Sequence, residues 1–297
     1  MPRSGIAAID VEMRRAVLLR IRKSIVAIGL VLTVFGVGAV QARQAGPAIR
    51  SNSAIVVDAD SKTVLFERQP HTAVPIASIT KLMTALIVLQ ARLPLDETIA
   101  ITDDDRRSVR GPSRLVVGAV LTRRDLLHLA LMSSENRAAH ALSRAYPGGT
   151  RAFIAAMNAK ADALGMHSAH FDDPTGLSAE NVASPTDLAK LVEAAAAVPL
   201  IREFSTDDEY SVRVRRHDVT FRNTDYLVRR GDWDIDLQKT GFTNHAGRCL
   251  VMKTVINGRN MVIVLLDSFG KYTRTADARR IKKWLEARAS VAVRELT

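Results

Sequence analysis

Apolar and polar positions divide the chain into three blocks. In the first, Ser53-Ala54-Ile55-Val56-Val57-Asp58 and Thr63-Val64-Leu65-Phe66-Glu67 are β-rich runs joined by Asp58-Ala59-Asp60-Ser61-Lys62, the pattern of a hairpin. The near-continuous apolar run Leu82 to Leu89 behind Pro75 predicts a helix buried almost all round and ending before Pro94. From there to about Pro199, Ala and Leu recur with helical period over Leu121 to Tyr146, Thr150 to Leu164 and Pro185 to Val198. Pro147-Gly148-Gly149 and Pro174-Thr175-Gly176 break them. Strand character then returns in Tyr210 to Arg215, Val219 to Arg222, Asp236 to Thr243, Gly247 to Ile256 and Met261 to Asp267. Asn257-Gly258 marks a tight hairpin between the last two, and a helix from about Thr275 to Ala287 closes the chain. Strands at both ends with helices between them predict an α/β fold. One antiparallel sheet of about five strands (50–76 and 205–297) is flanked by terminal helices, and an all-helical subdomain (about 77–204) is inserted into it. The cleft between the two parts is the natural place for a site.

At 297 residues, with 25% charged and 47% hydrophobic positions, the chain is large enough for a substantial core. Its formal net charge is +11. Arg14, Arg15, Arg20, Arg22 and Lys23 precede an uncharged apolar run from Ile25 to Val40, and Val40-Gln41-Ala42 places small residues where a signal peptidase reads them. This is the pattern of a secretory signal over 1–42, cut after Ala42, with the catalytic domain over 43–297. A retained anchor is the alternative, since a spanning helix needs roughly 18 apolar residues. Both readings export the remainder to the periplasm. Cys249, the only cysteine, excludes an internal disulfide and sits in an apolar run as a small hydrophobe. Arg106, Arg107, Arg110 and Arg114, with Arg213, Arg215 and Arg216, form a solvated basic face that can also draw the protein peripherally towards an anionic cell-wall polymer. No aromatic residues interleave with them, and with the export signal this argues against nucleic acid.

Ser78-Ile79-Thr80-Lys81 places a hydroxyl and an amine one turn apart where the buried helix begins. The spacing alone is cheap, because Ser268-Phe269-Gly270-Lys271 repeats it where a turn is expected. Context separates the two: a lysine one turn into so apolar a helix is hard to keep in water. Ser134-Glu135-Asn136 and Lys239-Thr240-Gly241 each occur once, the first after an apolar helical run and the second in an expected strand. Three weak patterns in the order Ser-x-x-Lys, Ser-x-Asn, Lys-Thr-Gly combine into a strong one.

Through these motifs the chain resembles the serine D,D-peptidases, the low-molecular-mass penicillin-binding proteins. It is most similar to D-alanyl-D-alanine endopeptidases over residues 75–85, 130–139, 173–178 and 239–244. The resemblance implies the penicillin-binding transpeptidase-like fold, peptidoglycan stem peptides and cross-links as substrates, β-lactams as covalent inhibitors, and no metal or other cofactor. Amide cleavage by acyl transfer needs a nucleophile, a base, a proton donor for the leaving amine and oxyanion donors. Ser78 is the expected nucleophile. Lys81 is the base, neutral through burial and through a second cation, Lys239. Ser134 is the expected relay to the leaving nitrogen, and Asn136 fixes the Lys81 amine and the substrate's backbone. The resemblance implies an oxyanion hole from the backbone N–H groups of Ser78 and Phe242, beside Gly241. Thr240 and Arg222 are expected to meet a carboxylate of the peptide.

Three rivals are weaker. A class A β-lactamase shares the motifs but needs a water-activating carboxylate, and no Glu-x-x-Leu-Asn lies between the second and third motifs. A zinc D,D-peptidase is disfavoured because His167 and His170 are not part of a His-Glu-x-x-His. An inactive peptidoglycan-binding module or β-lactam sensor is the third, and the 24 residues before the apolar run are too few for an output domain. Endopeptidase and D-alanine carboxypeptidase share the same acylation. The chain's end at Thr297, without a further β-domain, favours the endopeptidase.

Overall fold

A computed structural model describes residues 46–109 and 111–294, with side chains to 289. The expected export signal lies outside the described residues.

Five strands build the main sheet: β1 (Ser53–Asp58), β2 (Val64–Arg68), β9 (Asp234–Thr243), β10 (Gly247–Ile256) and β11 (Arg259–Ser268), ordered β2-β1-β11-β10-β9 and antiparallel throughout. Both hairpins rest on the expected turn chemistry. Asp58 Oδ1 accepts from the N–H groups of Asp60 and Ser61. Asn257 and Gly258 take φ of 53° and 71°, the two positive values that a type I′ turn requires.

Both faces of the sheet are covered, which is why its strands read as apolar runs and not as alternation. Ile55, Cys249, Val251, Val262 and Val264 pack under the helices, whereas Ala54, Val56, Leu250, Met252, Ile263 and Leu265 pack against Ala278, Ile281 and Leu285 of the C-terminal helix. Burial pushes the Cys249 thiol up to about 11, so it is inert packing.

The helical part follows β3 (Val74–Pro75) and a single 3₁₀ turn (Ala77–Ile79). Its central helix α1 (Thr80–Gln90) is buried from Thr80 through Val88. Around it stand α2 (Asp103–Ser108), α3 (Arg123–Met132), α4 (Asn136–Arg144), α5 (Gly149–Ala163), α6 (Pro185–Ala196) and α7 (Pro199–Thr206). Capping boxes start three of them, Thr102 with Asp105, Thr122 with Asp125 and Ser184 with Asp187. Short pairs β3–β6 (Val182–Ala183) and β4 (Thr98–Ala100)–β5 (Val120–Thr122) tie the loops.

Two details depart from the sequence reading. The helical run Leu121 to Tyr146 is two helices separated at Ser133–Glu135. The strands over 210–222, β7 (Glu209–Val214) and β8 (His217–Arg222), pair only with each other and stand apart from the main sheet. The short α8 (Tyr226–Arg230) leads from them into β9, and α9 (Thr273–Arg294) ends the described chain. No helix among the described residues is long and apolar enough to cross a membrane.

Candidate active site

Ser78 sits in the 3₁₀ turn just before α1, behind a strained residue. Ala77 has φ of 48°, the left-handed region that a side chain disfavours. Its carbonyl is pinned by Thr80 Oγ1 at 2.8 Å. Two glycines clamp the turn. A Cβ on Gly176, itself at φ of 82°, would stand 1.9 Å from the Ala77 oxygen; one on Gly241 would stand 3.0 Å from the Ile76 oxygen and 3.1 Å from the Ser78 nitrogen. The Ser78 backbone is thus gripped between the 173–178 loop and strand β9. Strain held in place by surrounding packing marks functional sites.

One turn on, Lys81 is fully buried and its Nζ lies 2.8 Å from Ser78 Oγ, 2.6 Å from Asn136 Oδ1 and 2.7 Å from the Thr175 carbonyl oxygen. The last two groups only accept. A neutral amine gives them its two N–H bonds and is left with its lone pair for the Ser78 hydroxyl. Burial pushes the Lys81 amine down to about 7, against the pull of the Asp173 and Glu135 carboxylates in the other direction. The second cation expected to depress it is felt in the reverse sense: burial, then Lys81 and Arg274, drive Lys239 well below its ordinary value.

A polar knot carries the Thr175 carbonyl. Asp173 accepts from the backbone N–H groups of Thr175, Gly176 and Ser178 and from Thr175 Oγ1. Fully buried Asn181 accepts from the N–H groups of Asp172 and Asp173, and it donates to Thr80 Oγ1 and the Asp173 carbonyl. Thr84 Oγ1 donates to the Pro174 carbonyl, which fastens the loop to α1.

Ser134 lies in the break between α3 and α4 with φ of 60°, and Asn136 opens α4. Ser134 Oγ has no hydrogen bond within the described residues, whereas Asn136 reaches Lys81 directly. Thr224 links this loop to β9: its N–H donates to the Met132 carbonyl, and its Oγ1 lies 2.6 Å from Thr240 Oγ1. Lys239 and Thr240 are buried on the edge strand, and Lys239 Nζ donates to the Thr240 carbonyl. Phe242 points outward, with the Arg248 guanidinium 4.4 Å from its ring centre.

The fold thus joins Ser78 and Asn136 through Lys81 Nζ and sets Gly241 against the Ser78 backbone. Thr240 follows through Thr224. Arg222 is exposed on β8, 3.5 Å from Glu209. The decoy pair separates: Ser268 is buried against Ser51 Oγ at 2.7 Å and Lys271 is exposed.

Sequence reasoning missed Asp173, Asn181, Thr224, Asp225 and Arg274. Arg274 donates to the carbonyls of Gly241 and Cys249 under the Lys-Thr-Gly strand. Asp225 is buried; burial pushes its carboxyl up, against the opposing charges of Arg274, Lys239 and Arg229. Only the phrase Asp173-Pro174-Thr175-Gly176, already noted, hinted at any of these.

Residues 39–270 match the sequence profile described as D-alanyl-D-alanine carboxypeptidase. A D-alanyl-D-alanine endopeptidase of Pseudomonas aeruginosa is 50% identical over 248 residues, 82% of this chain and 80% of that protein. One from Escherichia coli is 49% identical over 243 residues, 81% and 78% of the two chains. Among solved structures, the Streptomyces K15 DD-transpeptidase superposes with a TM-score of 0.75 at 29% identity, covering 81% of this chain and 98% of that one.

Proposed function

Because the chain belongs to the D-alanyl-D-alanine carboxypeptidase family of serine D,D-peptidases, we propose that it is a periplasmic D-alanyl-D-alanine endopeptidase that opens D,D cross-links of peptidoglycan through an acyl-enzyme on Ser78. The observation that carries this reading is the buried Lys81 amine, held near neutrality 2.8 Å from Ser78 Oγ, with its two N–H bonds committed to acceptors. The relatives near 50% identity, both endopeptidases, favour the cross-link as substrate.

The proposed steps are these. Neutral Lys81 takes the Ser78 proton as Oγ attacks the scissile carbonyl carbon. The resulting oxyanion accepts from the N–H groups of Ser78 and Phe242; such a donor contributes about 3 to 4 kcal/mol to the transition state. The proton passes from Lys81 through Ser134 to the amide nitrogen, the C–N bond breaks and the amine leaves. Water, activated by Lys81, then splits the Ser78 ester and releases the carboxylic acid. Strand β9 is the sheet edge, so an extended peptide can add to it as a further strand, with Lys239, Thr240 and Arg222 at its carboxylate end. A β-lactam follows the same acylation.

The test is digestion of purified cross-linked muropeptide dimers and of monomer pentapeptides, with the products weighed by mass spectrometry. Monomers released from dimers, and loss of both cleavage and fluorescent-penicillin labelling in Ser78→Ala, are expected. Free D-alanine with intact dimers would assign the protein as a carboxypeptidase instead.

A further inference from the structure

Beyond the reacting groups, a groove of about 310 Å³ borders the Ser-x-Asn loop, lined by Pro112, Ser113, Arg114, Ser133, Glu135, Phe221 and Arg222. Ser133 and Glu135, both in its wall, are the two neighbours of Ser134, the residue proposed to hand a proton to the departing nitrogen.

The groove is built, not incidental. Ser113 Oγ donates to Glu135 Oε1 at 2.7 Å, and the Leu115 N–H donates back to Ser113 Oγ. Arg137 Nη1 donates to the Leu115 carbonyl, so the 112–115 segment is fastened to the start of α4. On the other wall Arg114 lies 3.9 Å from the Phe221 ring centre and donates one Nη1 bond to the Thr220 carbonyl. The remaining N–H groups of this exposed guanidinium have no partner within the described residues. Arg222 is loosely held by Glu209. The groove therefore offers guanidinium donors from both Arg114 and Arg222, while the Glu135 carboxylate is engaged by Ser113 Oγ and by the Arg137 N–H.

We propose that this groove binds the stem peptide of the leaving strand and that Arg114 recognises a free carboxylate on it. The inference rests on the endopeptidase reading and adds a specificity determinant to it. A terminal D-alanine leaves without reaching the groove, whereas the stem of a cross-linked neighbour extends into it. Arg114 thus favours cross-links over pentapeptide ends.

The experiment compares the full chain with Arg114→Gln and Arg114→Lys on three probes. These are a cross-linked dimer, the same dimer amidated at the leaving strand's carboxylates other than the one beside the scissile amide, and a fluorescent penicillin. In Arg114→Gln the ratio of kcat/KM on the dimer to the rate of penicillin acylation falls about two- to fivefold through KM, the scale of one exposed charge-assisted contact. Arg114→Lys recovers part of it, and amidation costs the wild type a similar factor while costing Arg114→Gln nothing. A preserved ratio, or an equal loss on both dimers, would overturn the groove and leave Arg114 as a prop for the β7–β8 hairpin. Wild-type protein that acylates with penicillin but leaves dimers intact would overturn the endopeptidase reading, and this inference with it.

Discussion

Replacing Asn136 by Asp puts a carboxylate where a neutral oxygen now stands 2.6 Å from Lys81 Nζ, at almost no cost in shape. An opposite charge at this range favours the ammonium and raises a lysine by roughly 1 to 3 pH units. A rise of about 2 units, about 2.7 kcal/mol, moves Lys81 from about 7 to about 9. Since only the neutral amine can accept the Ser78 proton, acylation rises with pH through the lysine's own titration. At pH 7 about half of the wild-type protein is competent against about 1% of Asn136→Asp, so the variant acylates about fiftyfold more slowly. At about pH 9.5 most of that factor disappears. The assay is the second-order rate of labelling by a fluorescent penicillin from pH 6 to 10. Asn136 also has a proposed contact with the substrate backbone, whose loss lowers the rate equally at every pH, so the midpoint is the diagnostic quantity. An Asn136→Asp profile with the wild-type midpoint, or a wild-type rate that falls as pH rises from 6 to 8, would refute the assignment of Lys81 as a neutral base.

Gly176→Ala sets a methyl 1.9 Å from the Ala77 oxygen at a positive φ, so it is expected to lose roughly 3 kcal/mol of stability and most penicillin labelling, read from thermal melts and gels. Asn181→Ala removes four hydrogen bonds from a fully buried site, with an expected loss of about 3 kcal/mol in urea unfolding. Because the loop it braces presents the Thr175 carbonyl to Lys81, acylation should slow as well. Asp105 is held well below the ordinary carboxylate range: burial opposes this, but hydrogen bonds from His140, Arg144 and Thr102 outweigh it. Its contribution is present above the unfolded value of 3.8 and is lost as pH falls below it, so Asp105→Asn should flatten the decline of the melting temperature as pH falls below about 4.

What the sequence disclosed and what it hid divide along sequence separation. Ser78 and Lys81 share a face because they are one turn apart, a relation that spacing states outright. The doubly covered sheet was legible in the continuous apolar runs of β10 and β11, and their hairpin in Asn257-Gly258. Ser133–Glu135 did not announce itself as a break, since Ala and Leu continue with helical period on both sides and the decisive feature is a backbone φ. The alternation of 209–222 shows strands but not their partners, and these two strands pair together outside the main sheet. The supports of the site were invisible for a plainer reason. Asn181 braces Thr80 from 101 residues away, and Arg274 meets Gly241 from 33. Neither residue type is unusual where it stands.

The energetics of Lys81 explain why so much of this support exists. A lysine brought from 10.5 to about 7 on folding destabilises the protein by about 5 kcal/mol below pH 7, a cost that shrinks as pH rises and vanishes above 10.5. Lys239 adds a second such cost at the same place, and burial also lowers Arg274. Asp225 is the carboxylate that both Lys239 and Arg274 feel, and Asp173 and Glu135 are those that Lys81 feels, so burial is what lowers Lys81 and the largest cause for the other two cations. Shedding the Lys81 proton removes a buried charge and leaves the lone pair that the proposed base requires. The fold can tolerate such a centre only where rigid, fully satisfied surroundings bear the penalty. The four-bond Asn181 brace, the Asp173 knot and the two glycines against the Ala77–Ser78 backbone supply that rigidity. Loosening them should therefore raise the affinity of Lys81 for its proton together with lowering the stability. In Asn181→Ala the midpoint of the acylation profile should move upward, whereas a purely structural brace would lower the rate without moving the midpoint.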